Sequence, residues 1–511
     1  MKEIKTIGIV GAGAMGKGIV QIAAQAGLTV KLFDVSSQAV EAACSSLQQT
    51  WDKLSAKGKF TPEQVKAAMA NVVACDSLDA MADADLVVEA IVERLDVKKD
   101  LFKQLEGIVS AQCILASNTS SLPITAIASA CEHPERVAGY HFFNPVPLMK
   151  VVEVIDGQRS DPLVGDALME LSRKMGHTPV RAKDMPGFIV NHAGRGLGTE
   201  GLRAVQEGVA SFDQIDAIMR EQAGFRMGPF ELMDLTGLDV SHPVMESIYQ
   251  QFYDEPRFRP SPITAVRLAG GLLGRKTGAG FYRYEDGQKQ VPEAPAVPAM
   301  PKDLKVWVAP YHSVGHKRAL SLLKTLNASV VSSEAPPADA LIVVTPYGED
   351  VASVVSEYQL DADRTVALDT FFGLEQGKRR VVMCSAATLP QWRDAAAGLF
   401  ASDDTAVTVI NDSAGFVGQR VAATIVNIAC DIAQQTIASP KDIDLAVSLG
   451  LGYPKGGPLS MGDSLGAAHI VEILRNIQRV TGDARYRSSL WLQRRVQLGM
   501  GLTEEAKTNA N

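Results

Sequence analysis

The sequence predicts an α/β domain built on a doubly wound sheet, an all-α helical domain after it, and a degenerate repeat of the same two-domain arrangement. Three observations carry this expectation. Apolar strand-like runs alternate with helical patterns through residue 183, and helical periodicity takes over from Asp184. Short strings of the helical region then recur further along at an offset of 228 or 229 residues. A chain of 511 residues suits several ordinary domains rather than one core.

The first element is the run IKTIGIV at 4–10, which reads as a buried strand and not as a signal peptide. Gly11-x-Gly13-x-x-Gly16 follows at once and leads into the helical string GIVQIAAQAG. Glycines at this spacing, between a strand and a helix, permit a tight turn and let backbone N–H groups approach a pyrophosphate. This context makes the domain Rossmann-like and places Gly11, Gly13, Met15 and Gly16 at a dinucleotide. Asp34 closes the next strand, VKLFD, 23 residues after Gly11. Its carboxylate would accept from two ribose hydroxyls and repel a 2′-phosphate, and no arginine follows in VSSQ, so NAD is expected over NADP.

Further strands are expected at 85–91, 114–117, 137–143 and 151–155. Ligands gather outside the carboxyl ends of such strands, and three polar clusters fall there: Glu89 and Glu93; Asn118 within the run Ser117 to Ser121, including Ser120; and His141 with Asn144. Serines in such a turn also bond their own backbone. His141 alone would read as an ordinary core histidine. If YHFF and KVVEVI form a hairpin centred on Pro147, however, His141 and Glu153, each six residues from the centre, face one another. Glu153 sits inside VVEVI, where an unpaired charge is costly. A histidine held by a carboxylate is an oriented proton acceptor suited to oxidation of an alcohol.

The boundary near 183 rests on Asp184 as a helix cap and Pro186 in a first turn, with Asn191 in the turns that follow. The string GRKTGAGFYRY at 274–284 reads as a turn and docking strand. Prolines at 292, 295, 298 and 301 mark an extended connector over 285–302. Beyond it, DMPGF at 184 matches DSAGF at 412, IDAIM at 215 matches IDLAV at 443, and MGPFELMD at 227 matches GGPLSMGD at 456. Apolar runs at 305–308, 340–344 and 366–368 suggest a second Rossmann-like unit whose first loop, PYHSVG, lacks the glycine pattern. The expected domains are therefore 1–183, 184–284, 303–405 and 406–511 around the 285–302 linker.

Formal charge of −8 argues against nucleic acid or an acidic membrane as partner. Six cysteines without a C-x-x-C pair suit a reducing compartment such as the cytosol. No stretch approaches the roughly 20 apolar residues of a membrane span. No H-E-x-x-H or H-x-H pair suggests a metal, and no G-x-S-x-G elbow suggests a serine nucleophile.

The strings SNTSSLPI, GYHFFNPVPLMKVVEVI and DMPGFIVNH, following the glycine motif, resemble the L-3-hydroxyacyl-CoA dehydrogenase family, and especially its long bacterial form. The resemblance is close over residues 4 to about 284 and weaker beyond. It implies NAD-dependent oxidation of a 3-hydroxyacyl-CoA, of 3-hydroxybutyryl or 3-hydroxyadipyl type, in fatty-acid or aromatic-compound degradation. It further implies His141 as general base and Glu153 as its orienting carboxylate. Ser120 and Asn191 would meet the substrate's C3 oxygen, and Glu93, Lys98 and Asn118 the nicotinamide side. Asn144 and Lys53 complete the substrate set. Lys53 lies in a basic stretch with Lys57 and Lys59 that reads either as a contact for CoA phosphates or as a solvated helix face. Helical domains of this family pair, so the second copy is expected to form a monomeric pseudo-dimer, or the chain a homo-oligomer. The enzymatic rival is a dehydrogenase of free 3-hydroxy acids using Lys183; the non-enzymatic one is a protein that only binds NAD or acyl-CoA.

Overall fold

The computed structural model describes residues 3–293 and 295–505. The first sheet comprises β1 (Thr6–Val10), β2 (Thr29–Phe33), β3 (Val72–Ala74), β4 (Leu86–Glu89), β5 (Ile114–Ser117), β6 (Val137–Phe142), β7 (Val151–Asp156) and β8 (Thr178–Lys183). Their order is β3-β2-β1-β4-β5-β6-β7-β8, and every pair is parallel except β6 with β7. β1 and β4 through β7 are almost entirely buried and mostly apolar, as expected of strands covered on both faces by helices. The expected strands are all present. β3 and β8 were not anticipated: the first has three residues, and TPVRAK carries a proline and two charges because it lies at the sheet edge.

The chain divides into two compact units, residues 1–192 with 432–451, and residues 193–431 with 452–511. These units group residues by packing and cut across the expected domains 184–284, 303–405 and 406–511. The helix Pro440–Leu451, expected to stay with the second helical domain, packs on β7 and β8 of the first unit. Its physical basis is the unpaired edge of β8: the Lys183 amide donates to the Ile437 carbonyl at 2.8 Å, and the Arg181 amide to the Asp442 carboxylate. Asp184 also differs from its expected role. The helix after it starts only at Val190, and the Asp184 carboxylate instead accepts from the amides of Ile124 and Thr125 at 2.9 and 2.7 Å, capping the helix Ile124–Ala128.

In the second unit the expected linker begins as a hairpin, β9 (Arg283–Glu285) with β10 (Gln288–Gln290), around Asp286 and Gly287, both at positive φ. Asp-Gly is the preferred pair for such a turn, a signal outweighed in the sequence by the prolines that follow. Lys289 then lies 4.6 Å from the Tyr282 ring centre and pairs with Glu231. Ala294, within the proline-rich stretch, lies outside the described residues. A second sheet follows: β11 (Lys305–Val308), β12 (Ser329–Val330), β13 (Ala340–Val344), β14 (Thr365–Leu368), β15 (Arg380–Cys384) and β16 (Val407–Asn411). Its order is β12-β11-β13-β14-β15-β16, with only β14 and β15 antiparallel.

The helices Arg195–Gln206 and Val417–Gln434 cross closely enough that a Cβ on Gly196 would stand 3.0 Å from the Ile425 side chain. Arg420, buried, bonds Glu200, Glu207 and Ser413 at 2.7, 2.7 and 2.9 Å. Tyr486 donates to the same Glu200 oxygen at 2.7 Å. A buried charge persists only when paired and bonded in this way.

Candidate active site

The site is assembled at the carboxyl ends of β1, β4, β5 and β6. Antiparallel pairing of β6 and β7 sets His141 opposite Glu153, as the hairpin argument requires. The imidazole Nδ1 and the Glu153 Oε2 are 2.6 Å apart. The other carboxylate oxygen, Oε1, accepts from the amides of Ile189 and Val190, each at 2.9 Å. Three donors thus hold a carboxylate with no solvent exposure, and fix Nδ1 as the protonated nitrogen of the neutral ring. Among the described residues nothing hydrogen-bonds Nε2, which therefore carries the free lone pair. The rings of Phe143 and Phe188 flank the imidazole at 4.4 and 5.9 Å.

Around this pair the three polar clusters are knitted together. Glu93 Oε1 accepts from the Thr119 hydroxyl, the Ser120 amide and the Ser121 amide at 2.6, 2.9 and 3.2 Å. Burial acts to raise the Glu93 carboxyl, but the Lys98 ammonium, the Thr119 hydroxyl and the Ser120 amide outweigh it and hold it below the usual range. Asn118 accepts from the Phe142 amide at 2.9 Å, tying β5 to β6 beside His141, and the Asn191 amide donates to the Ser120 carbonyl at 3.3 Å. Asn144 stands exposed just past β6.

The glycine loop has the form a dinucleotide requires. A Cβ on Gly16 would lie 1.8 Å from the Gly11 carbonyl oxygen, and one on Gly11, at φ +112°, 2.4 Å from that of Ala90. These two glycines are demanded by the protein's own packing. Gly13 is different: nothing lies within 4 Å of a Cβ there, so its bareness leaves room for a ligand. Gly13 also begins the helix Ala14–Gln25 without a side-chain cap, leaving first-turn amides to a pyrophosphate. Met15, half-buried, is the second residue of that helix. Asp34 accepts from the Ala12 and Ser36 amides at 2.8 and 3.0 Å, which anchors its carboxylate beside the loop.

Comparison with known proteins decides what these features belong to. Residues 6–185 match the NAD-binding domain of 3-hydroxyacyl-CoA dehydrogenase, and residues 187–284 and 415–508 each match its C-terminal domain. The chain is 35% identical to 3-hydroxyadipyl-CoA dehydrogenase of Escherichia coli K12, over 98% of this chain and 99% of that one. It belongs to the 3-hydroxyacyl-CoA dehydrogenase family. Over 54% of its length it is 43% identical to nearly the whole of a probable 3-hydroxybutyryl-CoA dehydrogenase from Deinococcus radiodurans. The crystal structure of 3-hydroxybutyryl-CoA dehydrogenase from Escherichia coli superposes with a TM-score of 0.85 at 35% identity, covering 97% of this chain and 99% of that one.

Within this family member, the two lysines named in the sequence differ in their relation to the cluster. Lys98 is 1% exposed and spends its charge on Glu89 and Glu93, so it acts on the site through those carboxylates. Lys53 is exposed in the last turn of the helix Ser37–Ala56 and shares no hydrogen bond or ion pair with the others. Sequence reasoning missed the amides of Ile189 and Val190, which no side-chain pattern marks, and the pairing of Ser117 with Glu89 at 2.7 Å. Lys183 bonds the Thr436 hydroxyl at 2.7 Å on the sheet edge. Among the described residues one trio, His312, His469 and Glu472, brings three metal-ligand types within 4.8 Å. The His312 Nδ1 accepts from the Gly315 amide, which puts the proton of the neutral ring on Nε2, toward Glu472, and denies an ion that lone pair.

Proposed function

We propose that the chain oxidises (S)-3-hydroxyacyl-CoA to 3-oxoacyl-CoA reversibly, with NAD, at a site centred on His141. The observation that carries this reading is the His141–Glu153 pair, whose three-donor carboxylate leaves one imidazole nitrogen, Nε2, to take a proton. Gly11, Gly13, Met15, Gly16 and Asp34 would hold NAD, with Glu93 and Asn118 on its nicotinamide side; when bound, NAD supplies the hydride acceptor. Ser120 and Asn191 position the C3 oxygen, His141 takes the hydroxyl proton at Nε2, and Glu153 stabilises the imidazolium that results. Lys98 keeps Glu93 ionised. Asn144 and Lys53 lie on the thioester side, Lys53 toward the CoA phosphates. The engagement of Lys183 with Thr436 speaks against a free hydroxy acid handled by that lysine.

The second half supports this unit without a second reaction centre. Its sheet and helices form a degenerate repeat, and the Arg420–Glu200–Tyr486 network joins the helical stretches as an intramolecular pseudo-dimer. The relatives named for 3-hydroxybutyryl-CoA and 3-hydroxyadipyl-CoA support short-chain and dicarboxylic acyl groups as substrates, and the reaction would serve fatty-acid or aromatic-compound breakdown. NADH formation with 3-hydroxybutyryl-CoA and 3-hydroxyadipyl-CoA, set against free 3-hydroxybutyrate, tests the reading. Turnover of the free acid but neither thioester would refute it.

A further inference from the structure

The helix Pro440–Leu451 reaches the first sheet from the far end of the chain, and its last turn comes within one side chain of the carboxylate that orients His141. A Cβ on Gly450 would lie 3.2 Å from both methyl groups of Val190 and 3.7 Å from Val151. Val190, 1% exposed, is the residue whose amide donates to Glu153 Oε1. Val151 opens β7, the strand that carries Glu153. Glycine inside a helix weakens it relative to alanine, so its presence needs a reason. Helix termination is not that reason: Gly452, at φ +67°, takes the left-handed position past the last turn.

We propose that Gly450 is a positioning residue, which lets the distal helix seat Val190 so that the Ile189 and Val190 amides hold Glu153 against His141. This rests on the assignment of His141 and Glu153 as the catalytic pair. The order of contact is Gly450 to the Val190 side chain, Val190 amide to Glu153 Oε1, and Glu153 Oε2 to His141 Nδ1. The helix is itself fixed to the edge strand by the Ile437 carbonyl, the Thr436 hydroxyl and the Asp442 carboxylate, so a side chain added at 450 displaces Val190 rather than the helix. The second half of the chain thereby takes part in orienting His141 while contributing no group to the reacting atoms.

The experiment compares Gly450→Ala, Gly450→Val, Val190→Ala, the double variant Gly450→Ala/Val190→Ala and His141→Gln, all in the full-length chain. Misplacement by about 1 Å costs on the order of 100-fold in rate, so a few tenths of an ångström should cost several-fold. Expected are a loss in kcat of about threefold for Gly450→Ala and more than about tenfold for Gly450→Val, with KM for NAD within about twofold of the parent. The double variant should recover rate over Gly450→Ala alone, and the milder substitution decides if the valine variant is insoluble. Parental kcat in the folded Gly450 variants, or a loss shared equally by kcat and NAD affinity without recovery in the double variant, overturns the proposal. Parental turnover in His141→Gln would instead overturn the catalytic assignment beneath it.

Discussion

The two sheets of this chain share a plan and differ where chemistry would occur. From β6 to the helix after β8, an offset of 228 residues carries the first onto the second: Asp184 caps the helix Ile124–Ala128, and Asp412 caps Val351–Tyr358 through the Val351 and Ala352 amides at 2.7 and 3.1 Å. The same offset carries His141 onto Asp369, Glu153 onto Val381 and Asn191 onto Gln419. Gln419 is buried and spent at both ends, accepting from the Gly348 amide and donating to the Pro346 carbonyl and to Asp369. At the first strand-to-helix turn, bare Gly13 is answered by His312, whose ring caps the helix Ser313–Thr325 itself. Framework residues recur in both sheets, whereas at the second sheet's matching positions the polar groups bond within the protein. Capping and packing stabilise the fold regardless of activity, whereas polar groups held open for a ligand do not.

The largest effect should come from removing the second sheet altogether. A chain ending near residue 290 loses the segment that covers the β8 edge and the helix that pairs Glu200 with Arg420, while keeping every proposed catalytic residue. Light scattering and calorimetry should find dimer, aggregate or a much lower Tm; a stable monomer with the parental Tm would show the two regions to be independent.

Next comes the pair itself. His141→Gln should lower kcat by about 100- to 10,000-fold, or about 3–5 kcal/mol, with NADH affinity little changed. Glu153→Gln should lower it less. Asp369→Asn, at the matching position of the second sheet, should leave kcat intact. Comparable losses at 141 and 369 would erase the distinction between the sheets.

Asp369 should instead reveal itself in stability. Burial pushes its carboxyl up to about 6, against the hydrogen bonds from Gln419, the Phe371 amide and Gln222. Between roughly pH 4 and 6 the folded chain keeps this proton while the unfolded chain releases it, so stability falls as pH rises through that window, by on the order of 3 kcal/mol. Asp369→Asn should remove that slope and raise Tm at pH 7 relative to pH 4.5. Gln222 Oε1, buried without a hydrogen-bond partner among the described residues, is available to accept from the new amide. An unchanged pH dependence of Tm would show that Asp369 ionises freely.

The smallest effect concerns the cofactor. Calorimetric titration should find one NAD per chain, since His312 caps the turn where a second pyrophosphate would sit. Asp34→Ala should narrow the preference for NAD over NADP by about tenfold, near 1.4 kcal/mol, by removing the charge that repels a 2′-phosphate. Two equivalents, or an unchanged preference, would contradict the contrast between Gly13 and His312 or the role of Asp34 respectively.

Much of this was readable from local pattern. The strand, glycine turn and helix at residues 6–25 follow from apolar runs and glycine spacing, and the facing of His141 and Glu153 from the count of residues about Pro147. Such features depend on neighbours a few positions away. The partners of backbone groups were settled only by closure of the fold. Asp184 has the sequence of a cap for its own helix and caps one 60 residues earlier, because the chain between them returns to the same end of the sheet. The second oxygen of Glu153 is filled by two amides 36 and 37 residues on, and an amide carries no sequence signature. The edge of β8 is covered by residues 432–451, since an unpaired row of N–H groups donates to whichever acceptors the folded chain brings to it.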